Sequence, residues 1–431
     1  MTGGLLTGRG GAFAGAGLPG GFSARRRGGA ALLPAGPALV PLDADLVTIG
    51  DSITSNAFAQ NDPYDRAYAA SGFVTWLLAA TAHRLRVRPN GNLAVGGNTL
   101  PQIRDSLGPN GAVLADRAPG AISFMGGTNH LNDSWSDAQL TSVLGQILTL
   151  LFASSAGLLI VWGVPPARPS APRTANAERQ RRLMNAFLAS QVAGNEARAV
   201  FVDTDRLGLA EDDFADAVHP NASGARKLGL AGAALVGPRL AAGYVSALPA
   251  LAAYTANPIL AGGQDVATGW TKESGASGGA TVAFSKDGTG RQRILVSGAS
   301  TGTGRNVSLD QYTNVSAIGS APAEGSILEG LLDYEIVGSP AGINALDVLI
   351  GMNAASYANQ GQAQSILPDG GGPLFPAMPG RNVIRTIGVL RKAGPPNFVT
   401  TRLIVALTNG GSAVPVSLDL RVNRLEFRRV G

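Results

Sequence analysis

The sequence predicts a layered α/β domain with a largely parallel sheet, followed by an all-β sandwich or jelly roll. At 431 residues, the chain is too long for one ordinary domain. As far as about Ser246, short apolar strands alternate with amphipathic helices. Beyond Pro249, short alternating stretches rich in Thr, Val, Ser, Gly and Asn are separated by Gly and Pro turns. We therefore predict an arm at residues 1–43, an α/β domain at 44–246 and a β-sandwich at 247–431.

The α/β pattern begins with a short buried strand from Leu46 to Ile49, which ends at Gly50. Ligands of open α/β sheets bind at the carboxyl ends of the strands, so we expect functional residues at that edge. Further strands are predicted at Asn92 to Val95, Ala121 to Met125, Leu158 to Trp162 and Val200 to Val202, and helices at Gly72 to Leu85, 136–153, 176–193 and 221–243. In the second domain, alternation predicts strands at Arg293 to Val296, Leu331 to Val337, Val383 to Leu390, Arg402 to Leu407 and Val416 to Phe427.

Composition excludes several classes of protein. Only 15% of the residues are charged, whereas Gly occurs 59 times and Pro 26 times, which disfavours an all-helical fold. The formal charge of +5 comes from scattered basic residues that do not alternate with aromatic ones, so we expect no nucleic-acid partner. The absence of cysteine excludes disulfides and thiolate metal sites, and we expect neither a metal nor a cofactor. No apolar run approaches the roughly 20 residues of a membrane span.

Residues 1–43 consist mainly of Gly, Ala, Leu and Arg without periodicity, and this composition predicts a disordered arm. Its basic cluster, Arg25 to Arg27, either solvates the arm or contacts an acidic partner. Prolines interrupt the apolar stretch Gly28 to Leu42, so we predict no signal peptide. Ordering of such an arm would require packing against other chains, and we hypothesise that it anchors a homo-oligomeric assembly. A virus particle or its tail is the example we favour, and it implies a virion or extracellular-facing location.

Three histidines and one serine turn define the candidate nucleophilic chemistry. Ser52 follows a buried strand and Gly50, so a tight turn would present its hydroxyl at the edge of the sheet; the alternative is a helix N-cap serine. Among the histidines, His83 lies near a predicted helix end, where a favourable charge explains it. His219 stands three residues after Asp216, which can fold back to orient the imidazole or can cap the turn.

Two loops between the serine and His219 are candidate oxyanion donors. Asn92 to Thr99 contains Gly96 and Gly97, where a missing side chain lets a backbone N–H approach a substrate oxygen. Gly126 to Asn129 ends the next predicted strand, and the Asn129 amide can donate to the same oxygen. Either loop alone is more often a simple turn, but their order along the chain makes the combination specific.

Over about 200 residues, the chain resembles the SGNH, or GDSL-type, hydrolase family. Four blocks carry the resemblance: Gly50-Asp51-Ser52, Gly97 within Asn92 to Thr99, Gly127-Thr128-Asn129, and Asp216-Ala217-Val218-His219-Pro220. The resemblance implies a flavodoxin-like three-layer α/β/α domain. It also implies that Ser52 is the nucleophile, His219 the general base and Asp216 its orienting partner. The implied oxyanion hole comprises the backbone N–H groups of Ser52 and Gly97 and the side chain of Asn129.

The chain departs from the family pattern at two positions. Family members often have Asp after the asparagine of the third block, whereas this chain has His130. Ile53 replaces the commonest Leu of the first block at similar volume. We take Asp51 and His130 as candidate substrate contacts. After Pro249, Asn257-Pro258-Ile259-Leu260, Gly269-Trp270 and the strand Leu418 to Phe427 loosely resemble galactose-binding-like jelly rolls, and a plain structural sandwich is an equal alternative.

The four blocks together predict an active serine esterase without a metal or cofactor. A following sandwich, the absence of a broad apolar lid sequence and the hypothesised assembly favour removal of small acyl groups, such as acetyl, from a polysaccharide. The enzymatic alternative is a lipid or thioester hydrolase. The alternative from another class is a structural or receptor-binding particle protein that uses the hydrolase fold as a scaffold.

Overall fold

The computed structural model of the chain shows an α/β region with one parallel sheet, followed by two antiparallel β-sheets. The described residues are 38–56, 71–88, 90–131, 135–273, 278–301, 306–314, 322–323, 325–354, 357–360, 380–389, 398–407 and 412–430. The predicted arm therefore lies almost wholly outside the described residues.

Sheet one is a parallel five-stranded sheet with the order β2-β1-β3-β4-β5. Its strands are β1 (Ala44–Gly50), β2 (Leu85–Arg86), β3 (Ala121–Met125), β4 (Leu158–Trp162) and β5 (Ala199–Val202). Its helices are α1 (Ser52–Ser55), α2 (Phe73–Ala80), α3 (Leu100–Ser106), α4 (Ala112–Arg117), α5 (Asp137–Ala153), α6 (Ala175–Ala193) and α7 (Ala222–Val236).

Helices cover both faces of sheet one because successive strand residues point to opposite sides. On β1, Val47 and Ile49 pack into one apolar core with residues of α3, α5 and α6. Leu46 points the other way, into a second core with α2 and α7. The predicted α/β domain with a parallel sheet is confirmed, and its three layers follow from these two cores.

One predicted strand of this region is wrong. Asn92 to Val95 forms no strand; Asn92 makes an isolated bridge to Thr48, and Val95 N–H donates to the Gly50 carbonyl at 3.2 Å. The segment runs alongside β1 for only a few residues because it turns at Gly96 and Gly97 into α3. The helix predicted at 221–243 ends at Val236, where Gly237 and Pro238 continue into a short 3-10 turn.

The C-terminal part is a sandwich of two antiparallel sheets, as the alternating pattern predicted. Sheet two has the order β14-β11-β16-β9-β8, with β6 pairing with β16, and sheet three has the order β13-β12-β15-β10-β7. A shared apolar core includes Leu332 and Leu425 from sheet two and Leu309 and Leu403 from sheet three. The strands are β6 (Ala252–Ala253), β7 (Thr271–Glu273), β8 (Thr281–Lys286), β9 (Gln292–Ser300), β10 (Asn306–Asn314), β11 (Ile327–Ile336), β12 (Ile343–Ala354), β13 (Tyr357–Gln360), β14 (Gly380–Val389), β15 (Phe398–Leu407) and β16 (Val414–Arg429).

The outer face of sheet two packs directly on the α/β region. The buried Arg385 of β14 pairs with Glu329 of β11 and with Asp43, the residue before β1. Asn382 donates its side-chain N–H to the Ala79 carbonyl at the end of α2, at 3.3 Å. Since these contacts lie at the amino end of β1, the sandwich joins sheet one at the edge opposite Gly50. The domain boundary near residue 246 stays a prediction.

His83 belongs to this junction, which corrects its sequence-based interpretation. It is only 4% exposed, and burial, together with the nearby Arg385 cation, lowers its pKa to about 3. The side chain is therefore neutral near pH 7 and supplies no favourable helix-end charge. Arg84 supplies the positive charge near the end of α2 instead, because its guanidinium donates to the carbonyl oxygens of Thr81 and Gly237.

Candidate active site

The serine turn is built by a close approach between the ends of β1 and β3. A Cβ atom on Gly50 would lie 1.8 Å from the Met125 carbonyl oxygen, so only glycine fits. Thr54 fixes the same contact by donating its hydroxyl to that oxygen at 2.9 Å. Asp51 caps α1, and Ser52 is the first residue of the helix. Ser52 is therefore not the N-cap, and its hydroxyl is left for other partners.

The side chains of Ser52, His219 and Asp216 form one continuous hydrogen-bonded row. His219 Nε2 lies 2.7 Å from Ser52 Oγ, and His219 Nδ1 lies 2.7 Å from Asp216 Oδ2. An imidazole that donates Nδ1–H to Asp216 has Nε2 free to accept the serine proton. The structure thus brings the three predicted catalytic residues together in the required order.

A tight hairpin holds His219 in this position. The Ala215 N–H donates to the His219 carbonyl at 2.9 Å, and Phe214 bridges to Pro220. Asp216 Oδ1 accepts the N–H groups of Val218 and His219 at 2.9 and 2.8 Å. We call residues 213–220 the histidine hairpin. Asp216 both orients the imidazole and closes its turn, so the two sequence-based alternatives for this residue are satisfied together.

The hairpin also keeps Asp216 ionised. Partial burial of Asp216 acts to raise its pKa, but the two backbone N–H groups and the His219 imidazole outweigh it and hold the pKa below the ordinary value. An ionised carboxylate is the form that stabilises an imidazolium.

The two predicted oxyanion loops meet beside the serine turn. Gly97 is exposed, has a φ of +83° and lies in the turn that Asn98 N–H closes onto the Val95 carbonyl. Asn129 Nδ2 donates to the Asn98 carbonyl at 3.1 Å, which fixes the amide orientation and leaves its second N–H for another acceptor. The oxyanion roles of Ser52, Gly97 and Asn129 stay predictions.

The family assignment follows from the part of the chain that carries these residues. Residues 48–227 match the family model described as GDSL-like lipase/acylhydrolase. This span is similar to GDSL-like lipase/acylhydrolase domains. The resemblance predicted from the four blocks is confirmed, and the span contains all of them.

The chain is also similar to several solved structures. One is a member of the lipolytic G-D-S-L family from Veillonella parvula, at 20% identity and a TM-score of 0.34, covering 46% of this chain and 99% of that one. Another is a catalytic mutant of an acetylxylan esterase from Geobacillus stearothermophilus, at 18% identity and a TM-score of 0.34. The match covers 46% of this chain and 96% of that one. A third is the enzymatically active domain of tailspike protein 4 of bacteriophage CBA120, at 9% identity and a TM-score of 0.27. The match covers 41% of this chain and 21% of that one. A comparison with curated proteins found no match.

The two predicted substrate contacts, Asp51 and His130, are both buried in the structure. Asp51 is 0% exposed and accepts N–H groups at Oδ1 from Ile53 (3.2 Å) and at Oδ2 from Gly127 and Thr128 (3.0 Å each). Burial raises its pKa, although these backbone donors oppose the effect. Asp51 therefore joins the nucleophile turn to the loop that carries Asn129.

His130 is 2% exposed, and its ring packs edge-on against Trp135 with the centroids 3.9 Å apart. It lies below the surface of the site and offers no face to a substrate in this conformation. The sequence alone does not distinguish a histidine that contacts substrate from one that packs in the interior, so the burial of His130 was not predictable.

The sequence analysis missed one loop at the same edge. Residues 163–173, here called the β4 loop, connect β4 to α6, and Arg168 N–H donates to the Ala217 carbonyl of the histidine hairpin at 2.9 Å. The position of this segment after a predicted strand was the available signal. Among the described residues, no group of His, Asp and Glu side chains is arranged to hold a metal ion, and no helix is long and apolar enough to cross a membrane.

Proposed function

We propose that the chain is a serine esterase that removes small acyl groups, acetyl first, from a polysaccharide. The observation that carries the proposal is the row from Ser52 through His219 to Asp216, in which both connecting distances are 2.7 Å. A hydroxyl that contacts an imidazole, itself oriented by a carboxylate, is the arrangement that serine acyl transfer requires.

In the proposed reaction, Ser52 Oγ attacks the ester carbonyl carbon while His219 Nε2 takes the hydroxyl proton. The Asp216 carboxylate stabilises the resulting imidazolium. Backbone N–H groups of Ser52 and Gly97 and the Asn129 amide receive the oxyanion of the tetrahedral intermediate. His219 then protonates the departing alcohol, leaving an acyl-serine. Water attacks the acyl-serine with the same proton transfers and releases the carboxylic acid.

Two features of the site support a small acyl group on a large, hydrated substrate. The rim of the described site is open, since Val95 is 50% exposed and the Asp216 side chain is 56% exposed. The interior beneath the loop that carries Asn129 is tightly packed. A Cβ on Gly127 would lie 2.3 Å from Met184 Cε, and one on Gly126 would lie 2.6 Å from Ile103 Cδ1. The packing beneath Gly126 and Gly127 and the exposed rim favour a substrate that lies across the surface of the site.

The test combines covalent labelling with turnover. A fluorophosphonate probe should label the wild-type protein, and Ser52→Ala should abolish both the label and hydrolysis of 4-nitrophenyl acetate. Ser190→Ala is the matched control, because Ser190 lies on the exposed face of α6 and only donates to the Phe187 carbonyl. Unchanged turnover in Ser52→Ala would refute the mechanism. Activity that rises from acetate to octanoate esters would favour a lipid or thioester hydrolase instead.

A further inference from the structure

Among the described residues, the three arginines that are almost fully buried all have carboxylate partners. Arg181 pairs with Glu178 and Asp205, and Arg385 pairs with Glu329. Arg428 also pairs with Glu329, at 2.6 Å. This arrangement is expected, since a buried cation without a partner is costly.

Arg173 of the β4 loop is half-buried and differs from these three arginines. Its Nη1 donates to the Pro165 carbonyl at 3.0 Å, whereas its Nη2 is shielded from solvent and has no acceptor among the residues that the structure describes. No described carboxylate lies within ion-pair distance of this half-buried side chain. The two N–H groups of Nη2 therefore have no acceptor within the described part of the chain.

The position of Arg173 connects this cation with the candidate active site. Pro165 lies three residues beyond β4, at the edge of sheet one where β1 and β3 deliver the serine turn and the Asn129 loop. The same loop bonds to the histidine hairpin through Arg168 and Ala217. Burial and the neighbouring Arg181 lower the pKa of Arg173 to about 10, while Glu178 and Asp51 act to raise it. Arg173 therefore stays charged near pH 7, within electrostatic reach of the residue that precedes Ser52.

We propose that Arg173 is a specificity-determining residue of this site and that it pairs with a carboxylate of the substrate, so that the esterase acts on an acidic polysaccharide. The inference rests on the proposed function and deepens it. The half-buried guanidinium has no carboxylate partner among the described residues, and its planar fork matches a substrate carboxylate geometrically. The acyl group and the carboxylate belong to the same or adjacent sugar units.

A matched pair of aryl acetates tests the pairing. In 4-acetoxybenzoate the group opposite the ester is a carboxylate, and in 4-acetoxybenzamide it is a neutral amide of similar size. We expect Arg173→Gln to lower kcat/KM for the benzoate roughly tenfold to hundredfold, the range for losing a hydrogen bond to a charged group, and to leave the benzamide within about twofold. Arg173→Lys should recover part of the loss, because it restores the charge without the planar fork.

Arg182→Gln is the matched control, because it removes one positive charge from α6 at an exposed side chain that pairs with Glu178. It should leave both substrates unchanged. On polymers, acetylated polygalacturonate should show the Arg173 dependence, and acetylated xylan should not.

Equal losses on both aryl acetates would overturn the inference, because they would indicate a general structural or electrostatic role. An unchanged benzoate rate in Arg173→Gln, or the same loss in Arg182→Gln, would overturn it too. Failure of the proposed function is distinguishable from these results: the wild-type protein would then hydrolyse neither substrate, and the fluorophosphonate would not label Ser52.

Discussion

Replacing His83 by Asn should make the stability of the folded chain less sensitive to acid. The folded-state pKa of His83 is lowered to about 3 from an ordinary value of 6.5, first by burial and then by the Arg385 cation. Below pH 6.5 the unfolded chain binds a proton at this residue, whereas the folded chain does not. Acidification therefore favours unfolding, and this contribution grows until the pH reaches about 3.

The size of the effect follows from this difference. Each pH unit below 6.5 lowers the free energy of unfolding by about 1.4 kcal/mol, so His83 contributes about 2.7 kcal/mol of destabilisation at about pH 4.5. Asn is the chosen replacement because His83 has a φ of +49°, a left-handed conformation that Asn tolerates.

Urea unfolding at about pH 7.5 and about pH 4.5 measures the effect in both proteins. The difference in unfolding free energy between the two pH values should be smaller in His83→Asn by about 2.7 kcal/mol. Contributions from other titrating groups cancel in this comparison. In the folded protein the Glu178 carboxyl, whose pKa is held at about 2 chiefly by its bond to Arg181, titrates below the window, and its unfolded-state titration is common to both proteins. Equal pH differences in the two proteins would refute the reasoning.

Two further predictions concern the site itself. Asn129→Ala should lower kcat for 4-nitrophenyl acetate on the order of 10² to 10³, since it removes one oxyanion donor, and a loss below threefold in steady-state kinetics would exclude that role. Gly50→Ala should destabilise the fold by about 3 kcal/mol or more, because the new methyl group meets the Met125 carbonyl oxygen; Gly194→Ala, with nothing within 4 Å, should change urea stability by less than about 1 kcal/mol.

The parts of the site that sequence could predict are those with a fixed local geometry. A nucleophile after a buried strand and a carboxylate three residues before a histidine are local arrangements, and the structure brings Ser52, Asp216 and His219 together accordingly. The parallel sheet and the later antiparallel sheets were also predictable, because they follow from hydrophobic periodicity.

The remaining features depend on contacts between distant segments. The burial of Asp51 results from the approach of Gly127 and Thr128, which lie more than 70 residues away in the chain. The neutrality of His83 depends first on its burial and then on Arg385 of the sandwich, which together lower its pKa, and no local pattern reveals either. The segment Asn92 to Val95 has strand-like composition, but its pairing stops where the glycine turn begins.

The junction at Asp43 separates the sandwich from Ser52 by the full length of β1. Seven residues of extended chain span about 20 Å, so a single sugar unit held at Ser52 does not reach the contacts that join the sandwich to β1 at Asp43. Any glycan affinity of the sandwich would act on another part of the polymer. It would raise the effective concentration of esters near the enzyme, which lowers KM for a polymer and leaves kcat and small aryl esters unaffected.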